Sequence, residues 1–195
     1  MPAIQSAASN SRSLDGGSAK PSLAILRPHA GLAVLAILSL LSGAPEAQQQ
    51  RIPIPKADRV LVLKHEHILR LLRNGRVAKE YKVALGGSPV GPKTQQGDHK
   101  TPEGIYILDS RNARSQFYKS LHISYPTPAQ RTRARKRGIS PGGDVFVHGL
   151  PSGYRAVGAA HRLRDWTDGC IAVTDDEMDE IWLAVADGTP IEIRP

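Results

Sequence analysis

A cysteine and a histidine at the ends of two β-prone segments are the residues of this chain best suited to chemistry. Cys170 is the only cysteine among 195 residues, and it follows Asp168-Gly169 and precedes an apolar run. His148-Gly149 closes another β-prone run, so two strand ends can bring a thiol and an imidazole together. A thiol becomes a nucleophile when a neighbouring base takes its proton. The pattern indicates nucleophilic catalysis, with backbone N–H groups beside Gly169 available to an oxyanion.

A structural role is the alternative for both reactive residue types. Free cysteine is among the most buried residue types, and an inert, buried Cys170 would indicate a binding module instead of an enzyme. His161 lies between the two motifs, and we interpret it as a loop histidine in preference to a catalytic one.

The N-terminal part of the chain has the pattern of an export signal. An uncharged apolar run at residues 30–41 follows scattered basic residues and precedes small residues, which predicts a signal peptide over residues 1–47. The run is shorter than the roughly 20 residues of a membrane span, so we expect membrane contact only through an uncleaved signal. Residues 48–57 are predicted to be a linker, and the protein is expected in the periplasm or cell envelope.

Residues 58–195 are long enough to form one domain with its own core. A single cysteine excludes a disulfide within the chain. The formal net charge of +8 suits an acidic partner such as an envelope polymer or an anionic lipid. Because the chain is predicted to be exported, we expect no nucleic-acid partner.

The pattern of apolar residues in this domain is mostly that of β-strands. Asn74-Gly75 predicts a hairpin turn, and Thr174 with Glu177 forms a capping box before a helix at residues 175–186. The expected strands are residues 59–63, 68–72, 77–85, 105–108, 144–147, 171–174 and 190–193.

Three further segments have a chemical and a structural interpretation. His65 and His67 share a strand face, but no third ligand is near, which favours exposed hairpin histidines over a metal site. Residues 86–94 nearly match a phosphate-binding loop, yet Pro92 removes a needed N–H, so we interpret them as a turn-rich loop. The basic run at residues 131–137 is expected to be a solvated helical face that can attract carboxylates or phosphates.

Several motifs together resemble a known family. They are the pattern Gly-Asp-x-x-Thr-Pro-Glu-Gly at residues 97–104, Pro-Gly-Gly-Asp-Val-Phe-Val-His-Gly at residues 141–149 and Trp-Thr-Asp-Gly-Cys-Ile-Ala-Val-Thr at residues 166–174. In combination they resemble the L,D-transpeptidase (YkuD-type) catalytic domain, in its murein L,D-transpeptidase branch, over about residues 58–194.

The resemblance implies a fold and a set of site residues. The fold would be a mostly β, YkuD-like β-sandwich of mixed sheets with one or two short helices. Cys170 would be the nucleophile, His148 the general base and the Gly149 carbonyl the third member of the triad. The backbone amides of Asp168, Gly169 and Cys170 would form the oxyanion hole, and neither a metal nor another cofactor is implied.

The resemblance also implies a reaction on peptidoglycan stem peptides. Cys170 would form a thioester with release of D-alanine, and the amine of a second stem would resolve it into a 3–3 cross-link. The same thioester resolved by water would make an L,D-carboxypeptidase, or an amidase that releases a wall-linked protein. A non-catalytic cell-wall-binding module is the alternative from another class.

Two positions depart from the family pattern. Many members carry histidine where this chain has Asp168, whose carboxylate would disfavour a thiolate unless it points away. Many also carry arginine two residues after the cysteine, where this chain has Ala172. If that arginine holds a substrate carboxylate, another cation must replace it, and the candidates are Arg162, Arg164 and Arg133.

Overall fold

The computed structural model describes residues 54–195, which form mostly β-strands joined by loops and short helices. The strands are β1 (Arg59–Leu63), β2 (Ile68–Arg73), β3 (Arg76–Lys82), β4 (Gly104–Ser115), β5 (Tyr118–Ile123), β6 (Phe146–His148), β7 (Ile171–Ala172) and β8 (Thr189–Arg194). The helices are α1 (Pro128–Lys136), α2 (Asp175–Ala184) and a kinked 3₁₀ segment, Arg155–Leu163. The signal peptide and residues 48–53 of the linker lie outside the described residues.

All eight strands join one mixed sheet in the order β3-β2-β1-β8-β4-β5-β6-β7. The pairs β1–β8 and β6–β7 are parallel, and the other neighbouring pairs are antiparallel. Tyr81 of β3 and Ile171 of β7, the two end strands of this order, belong to one buried cluster. The sheet therefore curls over a common core, and the predicted mostly β, mixed-sheet fold with short helices is confirmed.

The C-terminal strand β8 lies in the middle of this sheet and links its two halves. It pairs with β1 on one side and with β4 on the other. Ile191 and Ile193 of β8 and Val60 and Val62 of β1 are buried, at the alternating positions that the sequence pattern predicts. Burying each such side chain contributes about 1.5–3 kcal/mol, so this seam is a major source of stability.

Two regions of the sheet differ from the sequence-based expectation. Strand β3 ends at Lys82, not at residue 85, because the chain leaves β2 there and Ala84 forms a bridge to Ala172. Strand β4 continues to Ser115 and pairs with the unexpected strand β5. The second half of β4 is polar and partly or fully exposed, so it has no apolar alternation that could have indicated a strand.

Helix α2 begins as the sequence predicts and ends two residues early. Thr174 Oγ1 accepts the Glu177 N–H at 3.3 Å, and Glu177 Oε2 accepts the Thr174 N–H at 2.9 Å. Met178 and Ile181 bury the inner face of the helix against the core. No helix within residues 54–195 is long and apolar enough to cross a bilayer.

The capping box of α2 makes a measurable prediction. Thr174→Ala removes the acceptor of a helix N-cap and should lower the free energy of unfolding by about 1 kcal/mol in urea titration. Thr132→Ala, at an exposed position within α1, is the control and should change it by less than about 0.5 kcal/mol. Equal effects of the two substitutions would contradict the capping role.

Candidate active site

The two reactive side chains are brought together by the short parallel pair β6–β7. His148 pairs with Ala172, and Cys170 lies two residues before Ala172. Residues two apart in extended backbone point to the same face of a sheet. Cys170 and His148 both line a cavity of about 440 Å³. His148 is 3% exposed and Cys170 is half-buried, so the cavity gives a ligand access to the sulfur. The structure thus places the predicted thiol and imidazole beside one open groove.

The tautomer of His148 is set by the residue that follows it. His148 Nδ1 lies 2.6 Å from the carbonyl oxygen of Gly149, and a carbonyl only accepts, so Nδ1 carries the proton. The lone pair of the neutral ring therefore resides on Nε2. The ring packs on Phe117 at 4.6 Å and edge-on to Trp166 at 5.9 Å between centroids. These contacts fix the orientation of the imidazole, and the Gly149 carbonyl lies against the ring nitrogen Nδ1.

The thiol of Cys170 is neutral in the resting protein. Burial is the main cause that raises its pKa, to about 11, and the carboxylates of Asp168 and Asp144 add to the effect. The backbone N–H of Phe146 and the Lys93 ammonium act in the opposite direction. The sulfur lies 3.7 Å from the Asp144 carbonyl oxygen, to which its S–H can donate.

Burial also keeps the imidazole neutral. Loss of solvent lowers the pKa of His148 to about 4, although its hydrogen bond to the Gly149 carbonyl opposes this change. Among the described residues no hydrogen bond joins the sulfur to the ring. Both shifts favour a neutral thiol beside a neutral imidazole in the resting site.

The turn that carries Cys170 requires glycine before it. Gly169 has φ of +128°, and a Cβ there would lie 2.5 Å from the Lys100 carbonyl oxygen. Thr167 Oγ1 accepts the Gly169 N–H at 3.1 Å and donates to the Cys170 carbonyl at 2.8 Å. Of the three amides predicted for the oxyanion hole, that of Gly169 is thus engaged inside the turn.

A buried lysine supports this turn from the loop before β4. Lys93 is 5% exposed, and its Nζ lies 2.8 Å from Asp98 Oδ1 and 3.4 Å from the Asp168 carbonyl oxygen. Asp98 also accepts the backbone N–H groups of Thr94, Gln95 and Lys100. Burial alone would raise the pKa of Asp98, but the ammonium and these N–H groups lower it to about 2. The sequence reasoning treated this segment only as turns, and missed Lys93.

The side chain of Asp168 points to solvent. It is 89% exposed, and its Oδ1 lies 2.7 Å from Nδ1 of His99. The carboxylate therefore does not contact the sulfur, although its charge contributes to the raised pKa of Cys170. The departure from the family pattern at this position therefore adds to the raised pKa of Cys170 without placing the carboxylate against the sulfur.

The three arginines predicted to bind a substrate carboxylate do not line the thiol cavity. Arg162 forms an ion pair with Glu177, the residue that also caps α2. Arg164 lines a separate apolar cavity on the other side of Trp166, and Arg133 lies on the exposed side of α1. The charged residues that line the thiol cavity within the described chain are Asp144 and Asp168, so the groove itself is acidic.

His161 lies next to the site, a placement that the sequence did not reveal. It is 8% exposed, and its Nδ1 lies 3.5 Å from Nε1–H of Trp166, whose ring packs against His148. Burial, and to a smaller extent the positive charge of Arg162, lower the pKa of His161 to about 4. The sequence does not indicate this contact, because it depends on how the 3₁₀ segment folds back against Trp166.

His67 also contacts the loop before the catalytic turn. Its Nε2 lies 2.9 Å from Oδ2 of Asp165, and Oδ1 of the same carboxylate accepts the Leu85 N–H at 2.7 Å. This side chain thus has a carboxylate partner instead of forming a pair with His65.

The neutral resting state predicts how the thiol reacts with pH. The rate of Cys170 alkylation by iodoacetamide should rise about tenfold per pH unit through the neutral range, because only the thiolate reacts and its pKa is raised. Asp168→Asn removes a like charge and should shift this profile to lower pH, with faster alkylation at pH of about 8. Mass spectrometry of the modified protein measures both rates.

Asp187→Asn is the matched control for this experiment. Asp187 is an exposed carboxylate paired with Arg111, away from the thiol cavity, so its substitution should leave the profile unchanged. A rate that is already constant from pH of about 6 to about 8 in the unsubstituted protein would instead indicate a preformed thiolate.

Comparisons with known proteins identify the family. The model of the YkuD family, described as the L,D-transpeptidase catalytic domain, matches residues 57–193. The Escherichia coli (strain K12) protein YafK, named as a presumed L,D-transpeptidase, is 29% identical over 105 residues, which are 52% of this chain and 35% of YafK. The chain thus spans about a third of the length of that curated relative.

Two solved structures share the fold. The helical cell shape determining protein Pgp2 from Campylobacter jejuni superposes with a TM-score of 0.54 at 25% identity, covering 69% of this chain and 46% of Pgp2. Bd1075 from Bdellovibrio bacteriovorus superposes with a TM-score of 0.50 at 25% identity, covering 70% of this chain and 47% of Bd1075. The chain belongs to the YkuD family of L,D-transpeptidase catalytic domains.

Proposed function

We propose that this protein is a peptidoglycan L,D-transpeptidase that forms 3–3 cross-links through a thioester on Cys170. The observation that carries the proposal is the placement of Cys170 and His148 beside one open cavity by the parallel pair β6–β7. Family membership supports the reaction class, and the Gly149 carbonyl supports His148 as the base.

Acylation begins with the neutral pair. As the sulfur attacks the carbonyl carbon between diaminopimelate and D-alanine, His148 Nε2 accepts the thiol proton. Because burial lowers the pKa of His148, the imidazolium formed in this step is a stronger acid than an exposed imidazolium. It gives its proton to the nitrogen of D-alanine as the C–N bond breaks, which leaves a thioester and a neutral imidazole.

The oxyanion of the tetrahedral intermediate is assigned to the backbone amides of Asp168, Gly169 and Cys170. Hydrogen bonds from two or three preorganised N–H groups stabilise such a charge by several kcal/mol, typically about 2.7–4 kcal/mol for one donor. Lys93 fixes the carbonyl of Asp168 from behind. The Gly169 N–H donates to Thr167 Oγ1 at rest. It can donate to the oxyanion once it has left that hydroxyl.

Deacylation repeats the proton transfers in reverse order. The neutral amine of a second stem peptide attacks the thioester carbon, and His148 Nε2 accepts its proton. The C–S bond then breaks, the proton returns to sulfur, and a 3–3 cross-link leaves the site. The substrate requires export, so we place the protein in the periplasm or cell envelope, where it would remodel the wall. The name of Pgp2 supports a role in cell shape.

Disaccharide-tetrapeptides with diaminopimelate test the reaction, with products identified by mass. We expect free D-alanine, a 3–3 dimer and a transient mass increase on Cys170. Cys170→Ser and His148→Ala should each reduce turnover on the order of a thousandfold or more, since both act in every step. His65→Ala, an exposed histidine outside the thiol cavity, is the control and should retain turnover.

The products distinguish the proposal from its alternatives. A disaccharide-tripeptide without dimer would assign the protein as an L,D-carboxypeptidase, because water would then resolve the same thioester. Release of a wall-linked protein from sacculi would assign it as an amidase. Unchanged tetrapeptide together with an unmodified Cys170 would contradict catalysis and leave a wall-binding module.

A further inference from the structure

A cluster of cations without carboxylate partners covers the exposed side of α1. We call these residues the basic face: Arg131, Arg133, Arg135, Lys136 and Arg137. All are exposed, and the helix buries only Ala134. None of the basic-face residues forms an ion pair with a carboxylate within residues 54–195, whereas Lys64, Lys93 and Arg162 do. The face thus concentrates positive charge that the rest of the domain does not neutralise.

Helix electrostatics accounts for only part of this cluster. Cations in the last turn interact favourably with the helix dipole, which explains Arg133, Arg135 and Lys136 but not Arg131. The pairs Arg131–Arg135 and Arg133–Arg137, however, have like charges at i and i+4, which destabilise a helix. A bound anion would remove this repulsion, so the cluster is better suited to a ligand than to the isolated helix.

A large cavity lies beside the basic face. Its volume is about 800 Å³, and its lining includes Arg133, Lys136 and Arg137, together with Tyr125 and Ile193. Its lining combines apolar residues with guanidinium groups, and its one carboxylate side chain, that of Glu103, is already paired with Lys64. Guanidinium groups bind carboxylates through two parallel hydrogen bonds, so such a lining suits carboxylate-bearing chains.

The cavity beside the basic face is one of three that follow each other toward the thiol. Lys93 lines both this cavity and a neighbouring one of about 600 Å³. The neighbouring cavity in turn shares Asp144 and Asp168 with the cavity of Cys170. The basic face and the thiol cavity therefore lie at the two ends of a row of adjoining cavities, along which an extended polymer could lie.

We propose that the basic face binds the peptidoglycan strand through carboxylates of stem peptides next to the one that reacts. The inference rests on the proposed function, and it names where the polymer is held. The cavity around Cys170 is lined by carboxylates and by no lysine or arginine of the described chain, so it does not itself attract an anionic strand. Attachment at a second place raises the effective concentration of the reacting stem.

Binding to isolated sacculi tests this proposal apart from catalysis. In a Cys170→Ser background, we compare the parent with a variant in which Arg133, Arg135, Lys136 and Arg137 are replaced by Gln. Co-sedimentation should show about tenfold weaker binding for the variant, equivalent to about 1.4 kcal/mol. Binding of the parent should weaken steeply from about 0.05 M to about 0.5 M salt, because exposed charges are screened, whereas binding of the variant should change little.

A second set of substitutions controls for net charge. Arg73, Arg76, Lys79 and Lys82 on the β2–β3 hairpin are replaced by Gln, which removes the same charge away from α1. This control should bind sacculi within about twofold of the parent. Thermal unfolding shows whether each variant is folded, and a double variant, Arg133→Gln with Arg137→Gln, should show about half of the effect on a logarithmic scale.

Activity on two substrates separates this inference from the proposed function. With Cys170 restored, the basic-face variant should process soluble disaccharide-tetrapeptides within about twofold of the parent, but lose about tenfold on sacculi. Loss on both substrates, or sacculus binding equal to that of the parent, would overturn the inference. Tighter salt-dependent binding to phosphatidylglycerol vesicles than to sacculi would overturn it in favour of a lipid surface. Inactive parent protein would instead contradict the proposed function.

Discussion

The site depends on one short parallel strand pair, β6–β7, which sets a sulfur and an imidazole on the same side of adjacent strand ends. This strand pair joins only two residues of each strand, so it is weak by itself. Neighbouring segments hold it in place: Ala84 exchanges two backbone hydrogen bonds with Ala172, and the Thr167 N–H donates to the Leu85 carbonyl. Asp165 then accepts the Leu85 N–H. The loop after β3, which was expected to continue that strand, thus holds the turn that carries Cys170.

Burial of the cysteine and histidine side chains has opposite effects in the free site and in the site with a reacting substrate. It raises the pKa of Cys170 and lowers that of His148, so a charged pair is disfavoured until a substrate is present. The same loss of solvent strengthens every hydrogen bond that an oxyanion would receive in the groove. A neutral thiol is also less readily oxidised or alkylated than a thiolate. The arrangement therefore keeps the proposed nucleophile from side reactions while no substrate is bound.

Most of the secondary structure, and the presence of a cysteine and a histidine at two neighbouring strand ends, could be predicted from the sequence because these features depend on local patterns. The hairpin turn at Asn74-Gly75 has positive φ at both residues, and Thr174 caps α2 as expected. The mostly β fold followed from the same alternation and from the family resemblance. Such features can be predicted because a few neighbouring residues determine them.

What the sequence did not reveal depends on contacts between distant segments. Lys93 reaches the turn of Asp168 across 75 positions of the chain, and strand β5 is held by β4 and β6, not by its own pattern. His161 is buried because Trp166 and its neighbours cover it, and nothing in a loop sequence indicates such a cover. The contacts of the three candidate arginines also depend on the fold: Arg162 pairs with Glu177, Arg164 lines another cavity, and Arg133 lies on the exposed side of α1.

The central claim is that His148 is a neutral base with its proton on Nδ1 and its lone pair on Nε2, beside a neutral thiol. Nitrogen NMR of the protein with ¹⁵N-labelled histidine measures the tautomer and charge of this ring directly. The account predicts a neutral ring protonated at Nδ1 at neutral pH, which gains a second proton only near pH of about 4. A doubly protonated ring at neutral pH, or a neutral ring with its proton on Nε2, would contradict it.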